Sequence, residues 1–346
     1  MQKCVAFSLL FARDVTLSAV QRSDIDRVIR ELYAGSMAVP LASFMGFALE
    51  LLQGLISFDS AMWASGTHEP QRFHTAHFLN QPDLTAKLHE RRLAIEDLAC
   101  KEARCQYGKA VMHSNLVSRQ AFEALPSYAA LFNLSGIEQQ IAFCTVSKVT
   151  GLVEFVSVWR KRLDAPFTEL DREVMEVITA HLVAAWGQAT QFHLKHEPKA
   201  KREAGQAMFD HVGILRMAEN GFLAMLRRYD PHWQGLKLPK NIVRIAQSLL
   251  DRGPAQMEHK EHKLGDFTLF VKTYGPLFLA RLSGPKMIDR LSPSEQQVAL
   301  LFSQGKDNKG VAQQLGVAQA TARNQLASVY RKLGVSNRTE LVTRLT

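Results

Sequence analysis

The spacing of hydrophobic residues changes several times along the chain, and each change marks an expected element. "LASFMGFALELLQGLI" is long and apolar enough for a buried helix, whereas "SAMWASG" and "RFHTAHFL" have strand-like composition. "QQIAFCTVS" and "GLVEFVSVW" are rich in β-branched and aromatic residues, and the short "KVT" between them predicts a hairpin. Helices around a small antiparallel sheet predict an α+β domain.

A long amphipathic segment, "FTELDREVMEVITAHLVAAWGQATQF", closes this region. Its apolar stripe at helical spacing consists of Leu170, Val174, Ile178, His181 or Leu182, and Ala185. The stripe continues to Trp186 and Ala189, which is more than one small sheet is expected to cover. The segment from Pro166 to Phe192 is therefore predicted to contribute to dimerisation as well as to core packing. Burial within the monomer is the alternative.

The middle of the chain repeats this theme on a smaller scale. "FDHVGILRMAENGFLAMLRRY" predicts a strand, a turn and a helix that opens near Asn220, and "DFTLFVKTYGPLFLARLS" predicts two strands about a turn at Gly275. Charged residues, prolines and glycines interrupt the pattern at residues 193–206 and 281–295. We therefore predict three domains. They span residues 1–195, 200–284 and 288–346.

The C-terminal region predicts short helices with defined ends. "SPSEQQVALLFSQ" forms a first helix that buries Val298, Leu301 and Phe302. Asp307 is placed to cap a second helix that ends at Gly316, and a third helix follows after a few residues.

The third helix has one apolar stripe and one polar side. The stripe consists of Ala322, Leu326, Val329 and Leu333. The opposite side presents Ala320, Thr321, Asn324, Ser328 and Arg331, with Arg323 and Lys332 on its flanks. Acidic residues are absent from the first turns, where the helix dipole would favour them. This composition favours a polyanionic partner.

Charge supports the same interpretation. The chain carries a formal net charge of +9. From Leu291 to the end there are seven basic and three acidic residues, a net charge of +4 in a small part of the chain.

At this point "LSPSEQQVALLFSQGKDNKGVAQQLGVAQATARNQLASVYRKLGVSNRTELV" resembles the LuxR/FixJ-type helix-turn-helix domain along its full length. The resemblance implies that the third helix enters the major groove, that the second crosses the backbone, and that a fourth helix pairs two copies on a palindromic site. By it, Lys309, Thr321 and Lys332 would contact phosphates, and Arg323 and Asn324 would approach base edges. The complete set expected at the DNA is Lys309, Thr321, Arg323, Asn324, Gln325, Ser328, Arg331, Lys332 and Arg338.

The sequence departs from that family at six positions, Ser294, Gln297, Gly310, Ala318, Ala322 and Gln325, and two of these changes affect helix stability. Ala318 replaces the usual serine cap, and Gly310 lies inside the second helix. Each of these two changes costs about 1 kcal/mol of helix stability, so the domain is expected to have a somewhat lower free energy of unfolding.

The first region resembles a GAF-like sensor domain and the middle region a PAS-like domain, by the order of their elements. An α+β fold without a ligand is the alternative. If the first domain holds a small molecule, its strand-like runs supply the expected lining. Those candidates are Phe58, Trp63, His77, Cys144, Phe155 and Trp159.

Signatures of catalysis and of metal binding are missing from the sequence. It contains no G-x-S-x-G, H-E-x-x-H, G-x-x-x-x-G-K-[ST] or G-x-G-x-x-G motif. His259 and His262 could share a metal on one helical face, but two histidines among charged residues favour a solvated loop instead. We predict no enzyme activity, no cofactor and no metal. A haem- or redox-responsive regulator stays open through Cys144 and the histidines, as does a metabolite-binding or enzymatic N-terminal region with an auxiliary DNA-binding domain.

We therefore predict a dimeric transcription regulator that binds double-stranded DNA under the control of a small molecule or another signal at its N-terminal sensor domains. RNA polymerase is a further expected contact. Four cysteines without a C-x-x-C pair suit a reducing compartment. The run "VAFSLLFA" lacks a cleavage pattern and is interpreted as a buried segment. No stretch reaches the ~18 apolar residues of a membrane span. We therefore predict a soluble cytoplasmic protein without a membrane partner.

Overall fold

The computed structural model describes residues 19–67, 72–81, 98–125, 128–133, 135–147, 152–198, 204–250, 261–284 and 291–345. The chain divides into two compact units, one formed mainly by residues up to His196 and one mainly by residues from Glu197 onward. The short segments Asp210–Val212 and Tyr274–Leu277 group with the first unit. The second unit contains both the middle region and the C-terminal helices, and the three domain boundaries stay predictions.

The first unit combines helices with a five-stranded sheet. Its helices are α1 (Ala19–Ala38), α2 (Leu41–Gln53), α3 (Leu98–Cys105), α4 (Arg119–Glu123) and α5 (Glu169–His196), with a 3-10 turn at His113–Asn115 and a π-helical turn at Tyr128–Asn133. Its strands are β1 (Ser60–Thr67), β2 (Arg72–Leu79), β3 (Ala110–Met112), β4 (Gln139–Val146) and β5 (Leu152–Arg160).

The strands of this sheet follow the order β2-β1-β5-β4-β3, and neighbouring strands are antiparallel. The predicted hairpin is confirmed, because β4 and β5 pair from Gln139 opposite Arg160 to Val146 opposite Val153. The centre of the sheet is buried on both faces, since every residue of β5 from Leu152 to Trp159 is buried. Such a strand reads as a continuous apolar run rather than as an alternating one.

The predicted long helix is confirmed as α5, but its buried side differs from the predicted stripe at one end. Val174, Ile178 and Ala185 are buried, whereas Leu170 is exposed. His181 is half-buried, and its Nδ1 lies 3.2 Å from the hydroxyl of Tyr33 in α1. Leu170 stays outside because it lies in the first turn of α5, at the rim of the unit.

The second unit begins with another five-stranded sheet. Its strands are β6 (Ala204–Phe209), β7 (Leu215–Ala218), β8 (Glu261–Leu264), β9 (Phe267–Tyr274) and β10 (Leu277–Ser283), in the order β7-β6-β10-β9-β8. Its helices are α6 (Asn220–Tyr229) and α7 (Lys240–Leu250). If the strands of each sheet are numbered from one in chain order, both sheets have the spatial order 2-1-5-4-3. The two regions therefore repeat one topology without an evident sequence repeat.

The predicted strands of the middle region and the predicted helix at Asn220 are confirmed. The packing of this region also shows why residue 205 is a glycine. A Cβ atom on Gly205 in β6 would lie 1.9 Å from the backbone nitrogen of Phe222. Only glycine lets α6 approach the strand this closely. His262 lies on strand β8 rather than on a helix or in a loop, whereas His259 lies outside the described residues. The run "VAFSLLFA" also lies outside them.

The C-terminal region is entirely helical. Its helices are α8 (Pro293–Ser303), α9 (Asn308–Leu315), α10 (Gln319–Leu333) and α11 (Arg338–Leu345). The mixed fold, with two antiparallel sheets followed by a helical region, agrees with the predicted class. Among the described residues, no helix is both long enough and apolar enough to cross a membrane.

Candidate DNA interface and candidate ligand site

Local hydrogen bonds set the ends of the C-terminal helices. The Ser292 hydroxyl accepts the backbone N–H of Glu295, while the Glu295 carboxylate accepts that of Ser292, which forms a capping box at the start of α8. The side chain of Asp307 accepts the N–H of Gly310 at 2.8 Å and caps α9, as predicted. Gly316 ends α9 with a φ of 65°, a left-handed conformation that favours glycine.

A single apolar cluster holds the four helices together. It confirms the predicted stripe of α10, because all four stripe residues are buried. Leu301 and Phe302 are only half-buried, and Ala299 takes the interior position beside Val298 on α8. The buried members are Leu291, Val298, Ala299, Val311, Ala312, Ala322, Leu326, Val329, Leu333, Val335 and Leu341.

The outward side of α10 is exposed and polar in its first turns. Thr321, Arg323 and Asn324 are exposed there, and Lys309 is exposed on α9. The side chains of Arg323, Asn324 and Lys309 make no hydrogen bond or ion pair within the described part of the chain, so their donors are available. Ala318 supplies no side-chain hydrogen bond to the start of α10, as the sequence predicts.

Two residues predicted at the DNA instead face a buried carboxylate. The hydroxyl of Ser328 donates to Glu295 Oε1 at 2.8 Å, and Lys332 Nζ lies 2.7 Å from Glu295 Oε2. Ser328 therefore does not belong to the outward side, since it lies beside the buried Val329 and turns toward α8. The ammonium of Lys332 lies beside Glu295 as well, but 40% of the Lys332 side chain is exposed, and its contact with phosphate stays a prediction.

Glu295 is the residue that the sequence analysis missed. The hydrogen bond from Lys332, the backbone N–H of Ser292 and the hydroxyl of Ser328 lower the pKa of its carboxyl from 4.5 to about 2. Its side chain is only 9% exposed. The capping-box spacing of Ser292 and Glu295 was the available signal, but nothing local in the sequence points to α10.

Arg338, also predicted at the DNA, fastens α11 to the end of α8. Its guanidinium donates to the backbone oxygen of Phe302 from Nε at 2.9 Å and from Nη2 at 2.6 Å, and Nη2 donates to that of Lys306 at 3.1 Å. The same group lies 4.8 Å from the centre of the Phe302 ring. Arg338 thus adds side-chain donors to carbonyls at the carboxyl end of α8, where the Phe302 oxygen also accepts the backbone N–H of Gly305 at 3.2 Å.

The remaining predicted contacts stay on the outside. Gln325 is half-buried on α10, and Arg331 is exposed in its last turn with Nη2 3.4 Å from the Ser328 hydroxyl. The structure therefore separates the predicted set into two groups. Lys309, Thr321, Arg323, Asn324, Gln325 and Arg331 can meet a ligand of the domain, while Ser328, Lys332 and Arg338 are engaged within it.

The six candidates for a ligand pocket divide between the two faces of the first sheet. Trp63 pairs with His77 and with Val156 across the strands, so Trp63 and His77 share one face. Phe155 pairs with Cys144 and with Ala64, which is the residue next to Trp63 in β1, so Phe155 and Cys144 lie on the opposite face. Since successive side chains of a strand point to opposite faces, a single pocket cannot hold all six. The candidates thus divide into two sets, and a ligand site at either set stays a prediction.

We call the side of Trp63 the long-helix face, because Trp63 packs against Trp186 of α5 with ring centres 6.4 Å apart. Glu154 is buried there, and its Oε2 accepts hydrogen bonds from Trp63 Nε1 at 2.9 Å and from the Ser65 hydroxyl at 2.5 Å. Burial lowers the pKa of His77. The polar groups of Trp63 and Ser65 thus have internal partners.

The other side, the short-helix face, packs against α3 and α4 through an apolar cluster that contains Cys144, Phe155 and Trp159. Trp159 is 1% exposed and stacks on Phe78 with ring centres 6.5 Å apart. Its indole Nε1 has no hydrogen-bond partner among the described residues. Phe58, also buried, lies between α2 and β1, outside this cluster.

Buried polar groups accompany Trp159 on the short-helix face. Gln140 lies opposite Trp159 in the sheet, and its Nε2 donates to the Ser157 hydroxyl at 3.0 Å. At the edge, His113 Nδ1 accepts the N–H of Gln140 at 3.1 Å, and burial lowers the pKa of His113 to about 4. An apolar cluster with a few polar groups is the composition of a small-molecule site. The described residues contain no group of three potential metal ligands.

A helix-turn-helix is formed by α9, the left-handed turn at Gly316 and α10, and its second helix, α10, exposes a polar side. In agreement, the family model of bacterial regulatory proteins, luxR family, matches residues 289–345. This C-terminal domain is thus a luxR-family helix-turn-helix domain.

Curated relatives share this domain with the chain. Transcriptional regulatory protein DesR of Bacillus subtilis is 39% identical over 54 residues, which cover 16% of this chain and 27% of DesR. A Mycobacterium bovis protein named as an HTH-type transcriptional regulator is 42% identical over 52 residues, 15% of this chain and 6% of that protein. The chain thus spans only a small part of the relatives that it matches.

Solved structures also show a partial likeness to this chain. The VqsR LBD domain of Pseudomonas aeruginosa has a TM-score of 0.36 at 11% identity and covers 51% of this chain and 99% of its own. SdiA of Escherichia coli has a TM-score of 0.36 at 10% identity and covers 92% of this chain and 95% of its own. Scores this low do not indicate what the present chain binds.

Proposed function

We propose that the protein is a sequence-specific DNA-binding transcription regulator that acts as a homodimer and responds to a small molecule in its first domain. The observation that carries the DNA-binding role is the outward side of α10. This side exposes the side chains of Arg323 and Asn324, which have no partners in the part of the chain that the structure describes, while the opposite stripe is buried in the domain core. A contact with RNA polymerase and a cytoplasmic location stay predictions.

The exposed side chains suit distinct parts of a duplex. The planar donor fork of Arg323 fits the two acceptors of a guanine edge, and the amide of Asn324 fits the donor and acceptor of an adenine edge. Thr321, Lys309 and Gln325 can donate to phosphates. Base edges would specify the sequence, and the phosphates would hold the helix in the groove.

Selection from a pool of random duplexes tests this function directly. The full chain should enrich one sequence motif, and it should bind that motif at least tenfold more tightly than a scrambled duplex of equal length. The ratio must be measured at a stated salt concentration, because phosphate contacts depend on salt. Equal binding to enriched and scrambled duplexes would refute sequence-specific recognition.

For the dimer we propose the outer face of α5. Its exposed positions Val177, Ala180, Ala184 and Gly187 follow alternating spacings of three and four residues and carry no charge. Val177 is 38% exposed, and the position of a Cβ on Gly187 has nothing within 4 Å. This spacing is that of a coiled-coil seam, and small residues allow two helices to approach closely. Because the buried side of α5 already packs within the unit, this outer face fits a second copy.

Replacing Ala184 with glutamate should convert the dimer into a monomer, since the substitution places two like charges opposite each other in the seam. Sedimentation at micromolar concentration measures the change. The matched control is Ala124→Glu, which introduces the same charge at an exposed position outside α5 and should leave the dimer intact. A wild-type chain that sediments as a monomer would exclude the seam altogether.

For the effector we propose the short-helix face. Nε1 of Trp159, which has no partner among the described residues, lies among apolar side chains, so a molecule with an apolar body and one hydrogen-bond acceptor would satisfy it. Such a ligand would change DNA affinity only through different affinities for two arrangements of the protein. Cys144 lies in the same cluster and is fully buried, an environment typical of an unreactive cysteine. The redox alternative is therefore less well supported.

Trp159→Phe should weaken effector binding about fivefold, the value of one hydrogen bond of roughly 1 kcal/mol. A thermal-shift screen of small metabolites on the full chain identifies the compound, and titration gives its dissociation constant for each variant. Trp63→Phe, on the long-helix face, is the matched control and should retain the wild-type constant. The opposite order of effects would place the ligand on the long-helix face.

A further inference from the structure

The middle region carries a surface of unusual charge. Five basic residues between Asn220 and Leu250 are exposed, and Asp230 is the only acidic residue in that interval. The five, which we call the basic patch, are Arg227, Arg228, Lys237, Lys240 and Arg244.

The members of the patch lie on elements that hydrogen bonds hold together. The amide of Asn241, at the start of α7, donates to the hydroxyl of Tyr229, the last residue of α6. Between the two helices, the Trp233 indole donates to the backbone oxygen of Lys237 at 2.7 Å. These bonds bring the carboxyl end of α6, the connecting loop and the amino end of α7 together. The five cations therefore form one local surface.

None of the five cations has a carboxylate partner within the described part of the chain. Three arginines on helices of the first unit do have such partners, although Arg22 and Arg30 on α1 have none among the described residues. Arg27 lies 3.0 Å from Glu31, Arg119 lies 2.6 Å from Glu123, and Arg172 pairs with Glu169 and Glu176. Such pairs at three- and four-residue spacing are the ordinary arrangement on a solvated helix. The patch departs from this arrangement in the same molecule.

The helix dipole explains only part of this charge. Arg227 and Arg228 lie in the last turn of α6, where a cation is favoured. Lys240 opens α7, where the dipole disfavours a cation, and the first turn of α7 contains no acidic residue. Arg244 lies one turn further along the same exposed side. These two positions carry a cost to helix stability that a bound polyanion would offset.

We propose that the basic patch binds the phosphate backbone of duplex DNA that flanks the sequence held by the C-terminal domain. This inference rests on the proposed DNA-binding function. Repeated single charges over two helices and a loop match a chain of phosphates better than one small anion. Large hydrophobic residues exposed for insertion into a bilayer are not found on the described part of this surface. The chain's own helix-turn-helix domain would bring a duplex to it.

The test compares two triple variants of the full chain that remove the same charge. The patch variant is Arg227→Gln, Lys240→Gln and Arg244→Gln; it leaves Arg228, whose guanidinium lies 6.0 Å from the Phe267 ring centre. The control variant is Arg22→Gln, Lys109→Gln and Lys161→Gln, at exposed positions of the first unit. Binding to short and long duplexes that contain the selected motif is titrated at several salt concentrations. Circular dichroism checks that both variants fold.

We expect the patch variant to bind the long duplex about tenfold more weakly than wild type, with a salt slope lower by roughly two to three phosphate contacts. The ratio of its affinity for the selected duplex to its affinity for a scrambled duplex should be unchanged. The control variant should bind like wild type. Hydroxyl-radical footprints should lose their outer protections in the patch variant alone. If both variants bind the long duplex equally well, the proposal is wrong.

Other outcomes distinguish failure of the basic-patch proposal from failure of the proposed DNA-binding function. A wild-type chain that binds no duplex even at low salt would overturn the proposed function and this inference together. A wild-type chain that selects its motif, with a patch variant that binds equally well, would overturn only the inference. Vesicles with anionic lipid and a single-stranded RNA serve as alternative ligands. If the patch variant loses only one of these, the surface belongs to that ligand and not to DNA.

Discussion

Replacing Glu295 with alanine is expected to lower the free energy of unfolding of the C-terminal domain by about 2–4 kcal/mol. The substitution removes the capping box with Ser292 and deprives the Ser328 hydroxyl and the Lys332 ammonium of their acceptor. Urea denaturation of the fragment 286–346 measures the change. DNA affinity should fall through lost folding rather than through a lost contact.

Two milder substitutions divide this effect into its parts. Lys332→Ala should cost no more than about 1 kcal/mol, because the Lys332 side chain is 40% exposed and solvent screens its ion pair with Glu295. Glu295→Gln keeps a side-chain acceptor for Ser292 and should cost less than Glu295→Ala. If Lys332→Ala weakens DNA binding without altering stability, Lys332 contacts phosphate and its pairing with Glu295 is secondary.

The pH dependence of stability follows from the same carboxylate. Because the folded domain lowers the pKa of Glu295 from 4.5 to about 2, the charged form is stabilised by folding. Its contribution is complete above pH 4.5 and is lost as the pH falls from about 4.5 to about 2. Glu295→Gln should flatten the stability curve in that interval, and an unchanged curve would mean that other carboxylates cause it.

Replacing Arg323 with alanine is expected to weaken binding to the selected duplex by about 1–3 kcal/mol, roughly 5- to 150-fold. The exposed guanidinium has no partner within the described residues, so its removal should leave the fold unchanged. Binding to scrambled duplexes should change much less, and the preference at one base position should relax. Titration of both duplexes at two salt concentrations measures this difference.

Lys309→Ala is the matched control for Arg323→Ala. Lys309 is exposed on α9 and its single ammonium suits a phosphate, so its loss should weaken all sequences alike and lower the salt slope by about one contact. The proposed orientation of α10 would be wrong if Arg323→Ala weakened both duplexes equally while Lys309→Ala affected only the selected one.

Local pattern predicted much of the fold. The β4–β5 hairpin, helix α5, the cap at Asp307 and the buried stripe of α10 agree with the structure. Each of these depends on residues that are near one another in the chain. Helices α1 and α7 were not predicted.

The ligand candidates show a feature that the local sequence pattern did not predict, namely the face of the sheet on which each residue lies. Trp63 and Phe155 both look like sheet residues, and each is fully buried. Which face each one occupies depends on the phase of its own strand, and the register between β1 and β5 sets their relation. The same register places the indole N–H of Trp159 on the short-helix face, where it has no partner among the described residues, whereas Glu154 accepts the indole N–H of Trp63.

By itself, the sequence determined that the chain ends in a helix-turn-helix domain whose third helix buries one stripe and exposes Arg323 and Asn324. Spacing and capping residues act within a few positions, so they can be read without a fold. Only the tertiary structure decided that Lys332, Ser328 and Arg338 have hydrogen-bond partners within the domain. Their partners, Glu295 and the backbone oxygen of Phe302, lie more than 30 residues away in sequence, and only the packing of α8 against α10 and α11 brings them within hydrogen-bonding distance.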